Sequence, residues 1–279
     1  MNRLLRDIDK VLLFPFSRRF LKIAACLLAA YLCLAYLILP ALWKHYEHHP
    51  ALEGTPKTTF THEGIPGDPL NVGFVGEEPD IVHSMSLAGW LPADPITLRT
   101  SARITTSSLL GRPFPNAPVS NLYVWNRVQD LAFEQQVPGN TRQRHHVRLW
   151  KSTASSPDGR PVWLGAATFD RSIGVSHLTG KITHHIAADI DQERDKLFND
   201  FKAHGQLVSL YQVTGVGSTV LGRNGGGDRY YTDGELTVGV LSASGAVNPA
   251  PVTKAANPPA VKAKNKVWAW IKGWVRKKK

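Results

Sequence analysis

Hydrophobic and polar positions divide this chain into unlike parts. Residues 23–43, IAACLLAAYLCLAYLILPALW, run for 21 positions without a charge. At about 1.5 Å rise per residue, a helix of that length covers roughly 30 Å, the hydrocarbon thickness of a bilayer. Nine Leu or Ile side chains favour insertion, and Pro40 lies near the outer end, where a lost backbone bond matters least. Trp43, Lys44 and Tyr46 follow as an interfacial belt would. The run is longer than a signal-peptide core and lacks an A-x-A-like exit, so an uncleaved signal anchor is expected. Ile23-Ala24-Ala25-Cys26 has the form of a lipoprotein processing box but stands at the start of the run, not its end.

Beyond the anchor the periods change. Residues 44–66 show none and are predicted to be a linker. From Asp68, PLNVGFVG has strand character. Glu77-Glu78-Pro79-Asp80 then opens a helix with Ile81, Val82, Met85 and Ala88 at helical spacing and Gly89 at its end. A second helix is predicted over residues 97–110 and a Pro-rich loop over 111–118. Strands are predicted at 119–127, 131–137, 144–152, 161–169, 181–186, 206–213 and 235–241, with a hairpin turn at Ser156-Pro157-Asp158-Gly159. Asp189 is placed to cap a helix with Ile190, Leu197, Phe198 and Phe201 on one face and Gly205 at its close. The expected fold class is α+β, a mostly antiparallel sheet with about three helices, preceded by one transmembrane helix. The expected domain covers residues 67–242.

The end of the chain is bipartite. Residues 243–265 are predicted to be a Pro/Ala/Lys linker without core-forming residues. Residues 266–279, KVWAWIKGWVRKKK, place Val267, Trp268, Ile271, Trp274 and Val275 on one helical face with Trp270 beside it. With Lys277, Lys278 and Lys279 at the end, this is the pattern of an amphipathic helix on an anionic membrane.

Charge sharpens that picture. The net charge is +11, yet residues 68–241 carry 16 Lys+Arg against 17 Asp+Glu, so the surplus sits at the two ends. Basic ends around a neutral domain suit a membrane surface, and no nucleic-acid partner is expected. Residues 1–22 hold six Lys or Arg, whereas the twenty positions after Trp43 hold two, Lys44 and Lys57. The positive-inside tendency therefore puts the basic N-terminus in the cytoplasm and the domain outside. In a Gram-negative cell that means an inner-membrane protein with a periplasmic domain. The only cysteines, Cys26 and Cys33, lie within the apolar run, which leaves the domain no disulfide or thiolate chemistry.

Two clusters can carry chemistry. His145, His146, His177, His184 and His185 fall within about 40 residues. Strand alternation puts His145 with Val147 and Leu149, and His146 with Arg144 and Arg148. It likewise puts His184 with Ile182 and Ile186, and turns His185 the other way. A hydrolytic centre would draw on His146, His177, His185 and Asp170 as catalytic candidates. No H-E-x-x-H or H-x-H spacing is present, and the sequence names no metal or cofactor. The second cluster is Arg223, Asn224, Gly225, Gly226, Gly227, Asp228 and Arg229. Consecutive glycines allow amides to turn toward an anion, and two arginines can clamp phosphate or carboxylate. It is neither a P-loop nor a Rossmann fingerprint. Serine-hydrolase, kinase and paired-carboxylate glycosidase patterns are absent.

Several motifs in order resemble the LssY C-terminal domain family over about residues 67–242. They are GDPLNVGFVG, AGWLPADP, QDLAFEQQV, RQRHHVRLW, WLGAATFDRSIG, HLTGKITHHI with D-x-D-x-E-R after it, and GRNGGGDRYYTDG. The resemblance implies a bacterial domain serving at a membrane, near phospholipid chemistry. It carries no assigned activity, so no catalytic residue follows from it. The lipid-phosphatase signatures K-x₆-R-P and P-S-G-H are missing, and a single anchor stands in that module's place. The expectation is a single-pass membrane protein whose domain binds an anionic ligand such as a phospholipid head group. The alternatives are a His/Asp-dependent hydrolase at the membrane and a non-catalytic scaffold.

Overall fold

The computed structural model describes residues 18–42, 52, 54–93, 121–176, 180 and 182–277. Contacts divide the chain after His45 into an N-terminal unit and a body. The N-terminal unit holds α1 (Arg18–Leu42), 25 residues, long and apolar enough to cross a membrane, with none of its side chains buried. It starts at Arg18 and Arg19, ahead of the uncharged run. Over Leu34–Ile38 it widens into a π-helical turn, and the Leu39 amide reaches back to the Leu34 carbonyl. Pro40 explains the widening. Its ring would clash with the carbonyl four residues earlier, at Tyr36, and a π turn relieves that contact.

The body begins with β1 (Thr58–Phe60), β2 (Pro66–Pro69), β3 (Val72–Val75), α2 (Glu78–Leu87) and β4 (Leu91–Pro92). Next come β5 (Tyr123–Val124), β6 (Arg127–Val128), β7 (Leu131–Val137), β8 (Asn140–Ser155), β9 (Pro161–Val175), β10 (Ile182–Ile186) and α3 (Ile190–Ala203). The last elements are β11 (Leu207–Thr214), β12 (Leu221–Arg223), β13 (Arg229–Tyr231), β14 (Glu235–Leu241), β15 (Thr253–Lys254) and α4 (Pro259–Lys277). The main sheet runs β15-β11-β14-β3-β9-β8-β7-β4, with β10 also on β9. It is antiparallel except at β14–β3 and β11–β15. This is the expected α+β class. Both β3 and β10 pair with β9, and in the gap between them the Asn71 side chain takes the place of a strand. Its Nδ2 donates to the Ala167 carbonyl and its Oδ1 accepts from the Ala167 amide, each at 2.9 Å.

Two apolar cores sit on the two faces of the sheet. On one, Phe74, Trp90, Val147, Leu149 and Trp163 pack with Leu197, Phe198 and Phe201 of α3 and with Ile81 and Met85 of α2. On the other, Leu70, Val75, Trp150, Leu164, Leu236 and Val238 pack with Leu122 and Val124. The α2 terminus forms as its sequence requires, because the Glu77 and Asp80 carboxylates exchange hydrogen bonds with each other's amides in a capping box. Val82 faces outward, one residue off the buried stripe.

Several boundaries differ from expectation. Residues 97–110 and 111–118 lie outside the described residues. Of the strand predicted at 119–127, residues 119–120 lie outside the described residues, and the rest is not one strand: Trp125 and Asn126 take positive φ (51° and 59°) and fold β5 back on β6. The stretch 44–66 is not all linker, since β1 lies within it and pairs with β2 and β5. Asp189 precedes α3, but its side chain makes no cap hydrogen bond. It accepts from Lys272 of α4 at 2.7 Å. Residues 246–264 are also more than a linker. They contribute β15, a Val252 contact to the first core, a buried Val261 and the first turns of α4. That helix starts at Pro259, where the fixed φ of proline suits a first turn.

Candidate functional site

Alternation along β8 sorts its side chains as expected: Val147 and Leu149 to the helix side, Arg144, His146 and Arg148 to the other. The polar row is nevertheless closed off from water, with His146 only 2% exposed. Arg144 bridges Glu134 of β7 at 2.9 Å and Asp170 of β9 at 3.0 Å. Arg148 pairs with Asp68 of β2 at 2.9 Å. His146 stands between these pairs. Its Nδ1 is 3.2 Å from Asp170 Oδ2, and its Nε2 is 2.8 Å from Arg148 and 2.7 Å from Thr168 Oγ1. Buried charges persist only when matched like this, because each isolated ion would cost several kcal/mol. Burial would raise the Asp170 pKa, but His146, His184 and Arg144 hold it far below the ordinary carboxylate range. His184 is affected by the same network: burial above all, with Arg144 and His146, lowers its pKa to about 4.

The candidate histidines therefore part company. His146 and Asp170 belong to the enclosed network, and half-buried His184 feels its charges from β10. His145 lies on the helix face, 2.7 Å from Glu193 and against the Phe169 ring at 4.7 Å. His185 meets the glycine-rich hairpin, its Nδ1 2.9 Å from Asp228 Oδ1. His177 lies outside the described residues. Among the described residues no three His, Cys, Asp or Glu are grouped to hold a metal ion.

The glycine-rich hairpin is shaped by Asn224. Its side-chain oxygen accepts from the Gly226 amide at 3.0 Å and the Asp228 amide at 2.9 Å, and its carbonyl accepts from Gly227 at 3.0 Å. These amides are thus spent within the turn and do not form an anion nest. Gly225 lies flush against β2, where a Cβ would come within 2.5 Å of the Pro66 carbonyl oxygen. Gly227 takes a φ of 87°, which favours glycine. Asp228 fastens the turn to β10 by accepting from His185 and, at 3.1 Å, from the Ile186 amide.

What the hairpin presents outward is cationic. Arg223 and Arg229 are register partners and exposed. Together with Arg171 they line a cleft of about 380 Å³, floored by Ile186, Ala188, Gly227 and Asp228. Arg171 NH2 is 3.8 Å from Asp228 Oδ1 and half exposed. Three guanidinium groups thus face one carboxylate that is already engaged. A larger depression of about 610 Å³ runs between α3, β11 and β15, but its arginine, Arg194, forks onto Asp233 at 2.7 and 2.9 Å.

Of the seven residues singled out in the glycine-rich sequence, Arg223, Gly227, Asp228 and Arg229 line the cleft, while Asn224, Gly225 and Gly226 build the turn. Arg171 was the missing member. Strand alternation held the clue, since Asp170 points into the network and its neighbour must point out. The tail residues split too: Trp268 is buried, whereas Trp270, Ile271 and Trp274 are exposed. The side chains of Lys277, Lys278 and Lys279 lie outside the described residues.

Comparison with protein families matches residues 52–236 to the family described as LssY C-terminus. No curated protein matches the chain. No solved structure matches it either.

Proposed function

This chain belongs to the LssY C-terminus family, and from that premise we propose that its body binds a phosphate-type anion, such as a phospholipid head group, while α1 anchors it in a membrane. The observation that carries this reading is the convergence of Arg171, Arg223 and Arg229 on one cleft where, among the described residues, the one carboxylate, Asp228, is already held by His185 and a backbone amide. The buried Arg144 and Arg148 are matched by acids within the fold, so among the described residues the cations in excess here are the three exposed ones. Arginine forks suit the paired oxygens of phosphate, and a partly enclosed cleft strengthens each charge-assisted bond. The uncharged length of α1 supports the anchor, and its basic N-terminal flank supports a cytoplasmic N-terminus with the body in the periplasm of a Gram-negative cell.

The test uses the full chain in zwitterionic nanodiscs, titrated calorimetrically with glycerol 3-phosphate and, in parallel, inorganic phosphate. Arg171→Ala and Arg229→Ala should each weaken binding about tenfold, in line with the loss of a charged hydrogen bond, with the thermal midpoint unchanged. Glycerol 3-phosphate binding above inorganic phosphate marks a head-group site; equal binding marks a free-phosphate site. Affinities left unchanged by both substitutions would end the proposal.

A further inference from the structure

The C-terminal helix has two apolar faces, and the body covers one of them. On the inner face Val261 is buried and Trp268 is 9% exposed. Lys264 binds the buried Glu235, and Lys272 lies 2.7 Å from Asp189 and 3.2 Å from Asp191. On the outer face Val267, Trp270, Ile271 and Trp274 are 56%, 68%, 38% and 65% exposed. Their spacing of i, i+3, i+4 and i+7 makes one continuous stripe, and the Trp270 and Trp274 rings lie 6.1 Å apart along it. Two exposed tryptophans on one stripe of a docked helix are costly in water unless something covers them.

We propose that this outer stripe docks on the surface of an anionic lipid bilayer. Charge complementarity selects that occupant. Residues 259–279 carry eight Lys or Arg and no acid, and with Lys264 and Lys272 answered by acids of the body, six cations are left for anionic head groups. Tryptophan is the side chain best suited to the boundary between head group and acyl chain. The helix is already formed and clamped by Lys264 and Lys272, so docking needs no coupled folding and fixes which side of the body meets the lipid. This inference is independent of the arginine cleft, and either can fail alone.

The full chain, reconstituted in vesicles of phosphatidylcholine with or without phosphatidylglycerol, is read by tryptophan quenching with acyl-brominated lipid. In the anionic vesicles, Trp270→Ala/Trp274→Ala should remove a distinct part of the quenched intensity, while Trp268→Phe should keep it. Melting curves should show the double variant as stable as the parent. The same quenched intensity in the parent and the double variant would overturn the proposal. So would a parent that sediments as a dimer which the double variant dissolves, since the stripe would then join two copies of the chain.

Discussion

His184 ties the buried network to a measurable pH response. Burial, with Arg144 and His146 beyond it, lowers its pKa to about 4, and Asp170 only partly opposes this. In the unfolded chain the ring takes its proton near 6.5. Between those values the unfolded chain binds more protons than the folded one, so stability falls as pH drops through that window and is level above it. The full effect is about 3 kcal/mol. Asp170 acts elsewhere: its folded pKa lies far below 3.8, so its contribution is lost only in stronger acid. His184→Gln should therefore flatten the fall in thermal midpoint between pH 6.5 and 4.5 in the detergent-held chain. A variant as acid-sensitive as the parent would refute the assignment. The alternation of Arg144, His146 and Arg148 was legible in the sequence, but their burial was not. A polar row on a strand resembles a solvated face, and nothing local announces that Asp68 comes from a distant strand to pair with Arg148. The same limit left Arg171, at a polar strand end, out of the anion-binding candidates, because the two arginines that share its cleft come more than 50 positions later.

At the scale of elements, periodic segments were legible and irregular joints were not. The strands Leu131–Val137 and Glu235–Leu241 match their predicted spans because alternation and flanking turns both mark them. The β5–β6 hairpin went unseen because its turn uses Trp125 where glycine or asparagine usually signals positive φ. The tail was misjudged for another reason. Its Pro/Ala/Lys composition suggests a free linker, whereas Lys264 answers the Glu235 carboxylate and the Asp233 backbone carbonyl, and Lys272, farther along the same helix, answers the carboxylates of Asp189 and Asp191. Burial pulls the Lys272 pKa down, but Asp189 and Asp191 raise it above its ordinary value, which strengthens the clamp. Lys264→Met would take the ammonium away from Glu235, a fully enclosed carboxylate that also accepts from Thr214 Oγ1. That change should cost about 3 kcal/mol, whereas Lys262→Met, on the exposed side, should stay within about 0.5 kcal/mol. Chemical unfolding of both variants decides it: equal midpoints would mean that α4 is not held by this ion pair.

For the whole molecule, the decisive quantity is where its surplus charge lies. A net charge of +11 would ordinarily suggest a polyanion partner, but the body from residue 68 to 241 is nearly balanced, and the arginine cleft is a local excess within it. In the proposed attachment the two ends would use different forces. The N-terminal helix would act through uncharged length, which salt leaves untouched. The C-terminal helix would act through lysines beside a short apolar stripe, an attraction that about 1 M salt, with a Debye length of about 3 Å, would screen. The two contributions should therefore separate in one fractionation. The full chain should stay with membranes through high-salt washing and leave only with detergent. A chain lacking residues 23–43 should still bind phosphatidylglycerol vesicles at low salt and be released at high salt. If the full chain came off with salt alone, α1 would not be embedded, and its exposed Leu27, Leu28, Leu37 and Leu39 would need a protein partner to cover them.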